Sequence, residues 1–252
     1  MLLDNLGVII TGASQGIGRV TATELARRGH RVIATARDPL TLDDLPVDQR
    51  LRLDVTDQAS IDTAVAEAGD IDVLLSNAGV MSTGAVEATP IDEIDRLFTQ
   101  NTAGAIRVTQ AVLPQLRQRH HGRLLFVSSF LARFMLPGLV AYSASKAALE
   151  AFAEGLAIEL KPFGIDVVLA QPAPVSSGLL DNLTDYRLPG DPYGLVNEVR
   201  PEMVSTPEQV AAALADLVEA PAVPLRAPIG PFAQQVIDRR DRAPYDQPFL
   251  LG

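Results

Sequence analysis

Short apolar runs alternate with longer amphipathic stretches along most of the chain. The apolar runs are rich in Val, Ile and Leu and lack a clean polar alternation, as expected of parallel strands covered on both faces. Strands are predicted at residues 7–11, 31–36, 50–53, 71–75, 123–128 and 166–170. Helices are predicted at residues 16–28, 60–68, 91–118, 141–161 and 206–219. Strand and helix in alternation predict an α/β fold with a doubly wound parallel sheet.

Two stretches depart from this rhythm. Residues 172–207 contain several Pro and Gly, which predicts a long substrate loop near the C-terminus. The Pro-rich end, from residue 221 on, holds one more predicted strand at 225–229 and an unassigned tail. We expect a single Rossmann-type domain over residues 1–252, with a cofactor half at about 1–125 and a catalytic and substrate half at about 126–252.

Composition narrows the chemistry. The 252 residues include no Cys and three His, so thiolate chemistry is excluded and a His-rich metal site is not expected. A formal net charge of -10 without a basic run argues against nucleic-acid binding. The N-terminus lacks the features of a signal peptide, and no apolar run reaches the roughly 20 residues of a membrane span. The sequence therefore predicts a cytoplasmic protein with no membrane and no nucleic-acid partner.

A glycine-rich turn follows the first strand and opens the first helix. It reads TGASQGIG and contains Gly12, Gly16 and Gly18, a spacing that differs from G-x-G-x-x-G. Glycines let backbone N–H groups approach a pyrophosphate at a helix N-terminus. A tight turn without a ligand is the alternative, but the position of this glycine-rich turn directly after a strand favours a nucleotide site.

The end of the second strand bears on the choice of nucleotide. A site for NAD usually has an acidic residue here, whereas this chain has Ala36 followed by Arg37. A guanidinium can bind a 2′-phosphate, which favours NADP(H) over NAD(H). A solvated surface Arg37, paired with Asp38, is the alternative.

Most of the candidate catalytic residues follow the fifth strand. Tyr142 and Lys146 are four residues apart on a predicted helix, where a fixed ammonium can lower the pKa of a phenol. A surface pair is the alternative for an isolated Y-x-x-x-K. Ser129 lies at a strand end, with Ser128 beside it as the other candidate, and Asn101 marks either a local break in the long helix or an exposed Asn.

In these motifs the chain resembles the short-chain dehydrogenase/reductase family in its compact form of roughly 250 residues. The resemblance runs from about residue 7 to residue 177 and implies a set of cofactor-binding residues: Gly12, Ser14, Gln15, Gly16, Ile17, Gly18, Arg37, Asp54, Val55, Asn77, Ala78, Gly79, Tyr142, Lys146, Val175 and Ser177. It also implies catalytic roles for Asn101, Ser129, Tyr142 and Lys146.

The roles that the resemblance implies are those of a hydride-transferring enzyme. Tyr142 exchanges a proton with a carbonyl or alcohol oxygen, and Lys146 lowers the phenol pKa and binds the nicotinamide ribose. Ser129 orients the substrate oxygen, and Asn101 holds a water that links Lys146 to solvent. Ala173 stands where the family usually has Gly, which restricts the backbone and predicts a slightly altered cofactor placement.

Substrate and assembly are less constrained. Apolar residues between Ser129 and Tyr142, with Leu179, Leu180 and Leu183, suggest a hydrophobic ketone or alcohol, although core or subunit contacts would require the same residues. The long helices form dimer interfaces in relatives, so we expect a homodimer or homotetramer. An NADP(H)-binding regulator without turnover is the alternative function. A sugar-nucleotide epimerase is disfavoured by length and glycine spacing.

Overall fold

A parallel sheet of seven strands forms the centre of the computed structural model, which describes residues 5–176, 183–195, 200–244 and 246–249. The strands in chain order are β1 Gly7–Ile10, β2 Arg31–Ala36, β3 Gln49–Arg52, β4 Val73–Ser76, β5 Thr83–Gly84, β6 Gly122–Val127, β7 Ile165–Pro172, β8 Asp185–Tyr186 and β9 Arg226–Ile229. The large sheet has the order β3-β2-β1-β4-β6-β7-β9, with every neighbouring pair parallel. The predicted doubly wound Rossmann sheet is confirmed.

Helices cover both faces of this sheet. They are α1 Gly16–Arg27, α2 Gln58–Ala68, α3 Ile91–Phe98, α4 Ala105–Arg119, α5 Val140–Leu160, α6 Pro207–Glu219 and α7 Pro231–Arg242. Val8 and Ile10 of β1 pack with α1 and α6 on one face, whereas Ile9 packs with α2, α4 and α5 on the other. Each such fully buried side chain contributes about 1.5–3 kcal/mol to folding. Burial on both faces explains why these strands lack polar alternation.

The stretch predicted as a helix over residues 91–118 is helical throughout, but it is not α-helical throughout. A π-helical segment, Thr99–Gly104, separates α3 from α4. The segment contains Asn101, which is 1% exposed. Of the two alternatives for this residue, the local break is therefore found and the exposed Asn is not. π-helical turns occur frequently at functional sites.

The C-terminal region has more structure than the sequence indicated. The strand predicted at 225–229 is present as β9, and the unassigned tail contains α7, which starts at Pro231 and ends among Arg239, Arg240 and Arg242. Pro at the first position and cations in the last turn both suit a helix. In the long loop, β7 extends through Pro172, and β8 pairs in parallel with β5. The predicted positions Ser177, Leu179 and Leu180 lie outside the described residues.

The strand order reverses direction between β1 and β4, at the centre of the sheet. Ligands of open parallel sheets bind at the carboxyl ends of the strands beside such a switch point. The glycine turn follows β1 here, and Asn77 follows β4. In the part of the chain that the structure describes, no helix is both long and apolar enough to cross a membrane.

Candidate active site

A cavity of about 550 Å³ opens at the carboxyl ends of the central strands. It is lined by most of the residues that the sequence singled out: Gly12, Ser14, Gln15, Gly16, Ile17, Arg37, Asp54, Val55, Asn77, Ala78, Gly79, Ser129, Tyr142, Lys146 and Val175. Gly18 and Asn101 are not among its lining residues, and Ser177 lies outside the described part of the chain. The structure thus brings the glycine turn and the Tyr–Lys pair to one cavity.

The glycine turn is held against the end of β4. The Thr11 hydroxyl oxygen accepts hydrogen bonds from the backbone N–H groups of Asn77 and Ala78, both at 3.0 Å. Gly12 has φ +70, and a Cβ at this position would lie 2.9 Å from the Ala78 Cα. Both the left-handed backbone and the close approach therefore require glycine.

Gly18 has a different role from the other two glycines. A Cβ at Gly18 would lie 2.4 Å from Asn77 Nδ2 and 2.5 Å from the Gly12 carbonyl oxygen. The Asn77 amide donates to the carbonyl oxygens of Thr11 and Gly12, both at 3.0 Å. Gly18 therefore makes room for the side chain that fastens the turn to the next loop. The cradle that the turn forms fits a phosphate-bearing nucleotide.

Arg37 is exposed at the edge of the cavity, at the end of β2. Asp38 does not hold it, because the Asp38 carboxylate accepts a hydrogen bond from the Leu40 N–H at 3.1 Å. Within residues 5–176, 183–195, 200–244 and 246–249, no carboxylate lies within 4.0 Å of the Arg37 guanidinium. Partial burial favours a higher pKa for Asp54, but hydrogen bonds from Thr56 and the charge of Arg37 lower the pKa overall.

The two adjacent serines at the end of β6 have different partners. The Ser128 hydroxyl donates to the Glu150 carboxylate at 2.9 Å, away from the reacting pair. The Ser129 hydroxyl oxygen accepts the Leu131 N–H at 3.1 Å and lies against the Tyr142 phenol. Of the two candidates, Ser129 is therefore the one whose hydroxyl faces Tyr142.

Tyr142 is buried, and burial dominates its titration. Desolvation raises the pKa of Tyr142 to about 12, and the nearby Ser129 hydroxyl offsets only part of this rise. Burial outweighs the other effects on the pKa of Tyr142 in this structure, and the expected lowering of that pKa by Lys146 stays a prediction. The Lys146 ammonium donates to the Val127 carbonyl oxygen at 2.8 Å.

Lys146 is also buried, with 4% of its surface exposed. Burial lowers the pKa of Lys146 to about 8, and the charge of Glu150 partly opposes this change. Burial disfavours the charged form of each group, so it moves an acid's pKa up and an amine's pKa down. The Tyr142–Lys146 pair is therefore buried, which excludes the alternative of a surface i,i+4 contact.

Asn101 connects three elements through its side chain. Its oxygen accepts the Val80 N–H at 2.8 Å, and its nitrogen donates to the Val80 carbonyl and the Ser145 hydroxyl, both at 2.9 Å. Ser145 in turn donates to the Tyr142 carbonyl oxygen at 2.7 Å. Asn101 thus fixes the loop after β4 to the turn of α5 that carries Tyr142.

The end of the cavity beside Tyr142 is apolar. Its walls include Phe130, Leu131, Leu136 and Leu139, which belong to the apolar segment that the sequence indicated, together with Ala173 and with Val80 and Met81, which the sequence analysis did not name. Several of these belong to a cluster with Phe134 and with Ala233 and Val236 of α7. For Val80 and Met81, the position just after the end of β4 is the sequence signal that could have indicated them.

Ala173 occupies its position without backbone strain. It is not among the described residues with positive φ, and its N–H donates to the Ile229 carbonyl oxygen at 3.1 Å. Its methyl group packs in the apolar cluster beside Tyr142. The backbone at this position therefore suits residues other than glycine, and the expected change in cofactor placement stays a prediction.

Known proteins share both the sequence and the fold. The family model described as short chain dehydrogenase matches residues 7–187. A 3-ketodihydrosphingosine reductase from Bacteroides thetaiotaomicron is 33% identical over 240 residues, which cover 90% of this chain and 88% of the relative.

Two solved structures carry nicotinamide cofactors. A short chain dehydrogenase from Burkholderia cenocepacia in complex with NADP is 25% identical, with a TM-score of 0.83 over 96% of this chain and 95% of that one. A 3-ketoacyl-(acyl-carrier-protein) reductase from Brucella melitensis complexed with NADH is 26% identical, with a TM-score of 0.77 over 90% and 97%. On these matches, the chain belongs to the short chain dehydrogenase family of oxidoreductases, whose members bind nicotinamide cofactors and act on small molecules.

Proposed function

We propose that this protein is an NADP(H)-dependent oxidoreductase that interconverts a hydrophobic ketone or aldehyde and the corresponding alcohol. The observation that carries the proposal is the shared cavity, which has the glycine turn at one end and Ser129, Tyr142 and Lys146 at the other. Nucleotide and carbonyl compound would meet at the carboxyl ends of the central strands, the usual place for chemistry in this architecture.

The proposed reaction assigns one task to each side chain. NADPH supplies the hydride when bound. Tyr142 holds its proton at neutral pH, because burial raises its pKa to about 12, and it donates this proton to the substrate oxygen. Ser129 holds the same oxygen through its hydroxyl. Lys146 binds the nicotinamide ribose, and its charge stabilises the phenolate that the transfer leaves.

The preference for NADP(H) rests on Arg37. Its guanidinium lies at the cavity edge without a carboxylate within 4.0 Å in the described ranges, so it is available for a 2′-phosphate. The related structures with NADP and with NADH support a nicotinamide cofactor of either kind. The positive charge of Arg37 at the end of β2 is therefore the basis for proposing NADP(H) rather than NAD(H).

A hydrophobic substrate is supported by the walls of the cavity near Tyr142. Met81, Leu136 and Leu139 face this end, and among the described residues that line it Lys146 is the one charged side chain. Apolar walls with a few polar groups at one point orient a substrate through its carbonyl. The relative named 3-ketodihydrosphingosine reductase is by its name a reductase of a keto compound.

A homodimer or homotetramer through the long helices is part of the proposal. Ile158 on α5 is 74% exposed and Val140 is 45% exposed, which leaves apolar surface on that helix. The cytoplasmic location stays a prediction from the sequence.

The test is a spectrophotometric screen with both NADPH and NADH against long-chain, steroid, aromatic and sugar carbonyls. Tyr142→Phe should keep nucleotide binding, and its turnover should fall by about 10²–10⁴-fold. Tyr193→Phe is the matched control, because Tyr193 is 52% exposed and donates to Glu87 away from the cavity. Near-normal turnover in Tyr142→Phe would refute the assignment, and NADPH binding without oxidation across the panel would favour the regulator.

A further inference from the structure

A buried carboxylate lies one helical turn beyond Lys146 and outside the cavity. Glu150 of α5 is 4% exposed. Acidic side chains are almost never fully buried unless they are paired, because removing the charge from water is costly. The surroundings of Glu150 should therefore explain its presence.

Three donors from three strands or strand ends face the Glu150 carboxylate. The Ser128 hydroxyl donates at 2.9 Å and the Gln171 amide donates at 2.8 Å, both to Oε1. Arg226 lies with its Nε at 3.6 Å from Oε2, and its Nη2 donates to the exposed Glu154 at 2.7 Å. Ser128 precedes Ser129, so the carboxylate holds the backbone that presents the candidate catalytic serine.

The same carboxylate acts on Lys146. The two residues are four apart on α5, on one face of the helix. The Lys146 ammonium has one hydrogen-bond acceptor in the described structure, the Val127 carbonyl oxygen. Glu150 is the charged side chain whose field favours the ammonium.

The other groups around Lys146 do not supply a compensating charge. On its own helix it faces the neutral Tyr142 phenol, from β6 a carbonyl oxygen, and from the π-helical segment the uncharged Asn101 next to Gly79. From β9, Arg226 approaches Glu150 rather than Lys146 and partly neutralises it.

We propose that Glu150 is a positioning residue for the reaction. Its buried negative charge keeps Lys146 an ammonium. This proposal rests on the proposed function for its consequence in catalysis, but the electrostatic role itself can be measured on the protein alone.

The chain contains two lysines, Lys146 and Lys161, so lysine labelled with ¹³C at Cε gives two signals in an NMR titration. Lys161→Arg assigns them, and the exposed Lys161 serves as the internal reference. Charges on residues four apart on a helix, at an effective dielectric constant of about 20, shift a titration by about one to two pH units. Glu150→Gln should therefore lower the Lys146 midpoint from about 8 by that amount.

Two variants control this experiment. Glu154→Gln removes an exposed carboxylate from the same Arg226 and should move the Lys146 midpoint by less than about 0.3 units. Arg226→Gln removes the cation that competes for Glu150 and should raise the midpoint, which keeps the test decisive if Glu150→Gln does not fold. An unchanged midpoint in Glu150→Gln, an equal shift in Glu154→Gln, or no rise in Arg226→Gln would each overturn the proposal.

Nucleotide binding is the second readout, measured by NADPH fluorescence across the same pH range. If Lys146 binds the ribose as an ammonium, the Glu150→Gln variant should bind NADPH about two- to tenfold more weakly at pH 7, because a smaller fraction of its Lys146 is charged. Lack of NADPH binding by the unchanged protein would refute the proposed function and leave the NMR result on Glu150 intact.

Discussion

Gly18→Ala tests whether the glycine turn is fastened to the Asn77 loop as the structure indicates. Gly18 is the third residue of α1, where Ala is the better helix former by up to about 1 kcal/mol. Helix propensity alone therefore predicts a more stable variant. The geometry predicts the opposite, because the new Cβ would lie 2.4 Å from Asn77 Nδ2 and 2.5 Å from the Gly12 carbonyl oxygen.

The magnitude follows from the contacts that must yield. Displacing the Asn77 amide breaks two hydrogen bonds of about 1 kcal/mol each. Crowding against the Gly12 carbonyl adds about 1–3 kcal/mol, since backbone cannot rotate away as a side chain can. After subtraction of the helix propensity, Gly18→Ala should destabilise the protein by about 2–4 kcal/mol, which lowers Tm by about 4–16 °C in a chain of this size.

Urea and thermal unfolding should be measured in a double-mutant cycle with Asn77→Ala. In that background the amide is absent, so Gly18→Ala should cost at least about 1 kcal/mol less. A variant Gly18→Ala that is as stable as the unchanged protein, or an equal cost in both backgrounds, would show that Asn77 does not fasten the turn.

Three further predictions concern other parts of the molecule. Arg37→Ala should raise KM for NADPH and leave KM for NADH nearly unchanged in steady-state kinetics, because it removes one cation from the 2′-phosphate; an unchanged ratio would refute that role. Asn101→Ala should lose about 2–4 kcal/mol in urea unfolding because Val80 and Ser145 lose their partners, whereas Gln100→Ala should stay within about 0.5 kcal/mol; equal costs would contradict the assigned contacts. Glu24 has its pKa lowered from 4.5 to about 2 by hydrogen bonds from Arg27 and Arg28, so the folded state binds fewer protons than the unfolded state in this range. Its contribution is complete above about pH 4.5 and is lost toward pH 2, so Glu24→Gln should lower Tm at pH 7 and the difference should shrink in thermal melts at about pH 3; a constant difference would refute the linkage.

The strands and the glycine turn could be predicted from the sequence because their signals are local. A strand such as β1 is apolar at every position, and a turn that follows it with Gly12 and Gly16 indicates a close approach by a ligand or a loop. Most of the candidate cavity residues lie at such strand ends, so the architecture alone assembles them.

The features that could not be predicted depend on contacts between distant residues. The π-helical segment is stabilised by Asn101, whose partners Val80 and Ser145 are 21 and 44 residues away. The helix α7 lies in a Pro-rich region, and its apolar side packs on Phe130 and Ala173 of the cavity wall. The role of Glu150 could not be predicted either, because a Lys and a Glu four residues apart on a helix are usually a surface pair, and only the structure shows that both are buried.

Burial of the Tyr142–Lys146 pair also bears on the protonation state of Tyr142. An exposed pair would favour the phenolate through the charge of Lys146, whereas burial favours the neutral form of both groups and raises the pKa of Tyr142 to about 12. A phenol of this kind is protonated at neutral pH and is ready to donate to a carbonyl oxygen. Removal of a proton from an alcohol would first require the phenolate, which this environment disfavours. The buried Tyr142 is therefore prepared to donate a proton. The donation leaves a phenolate, and Glu150 favours the Lys146 ammonium whose positive charge would stabilise that phenolate.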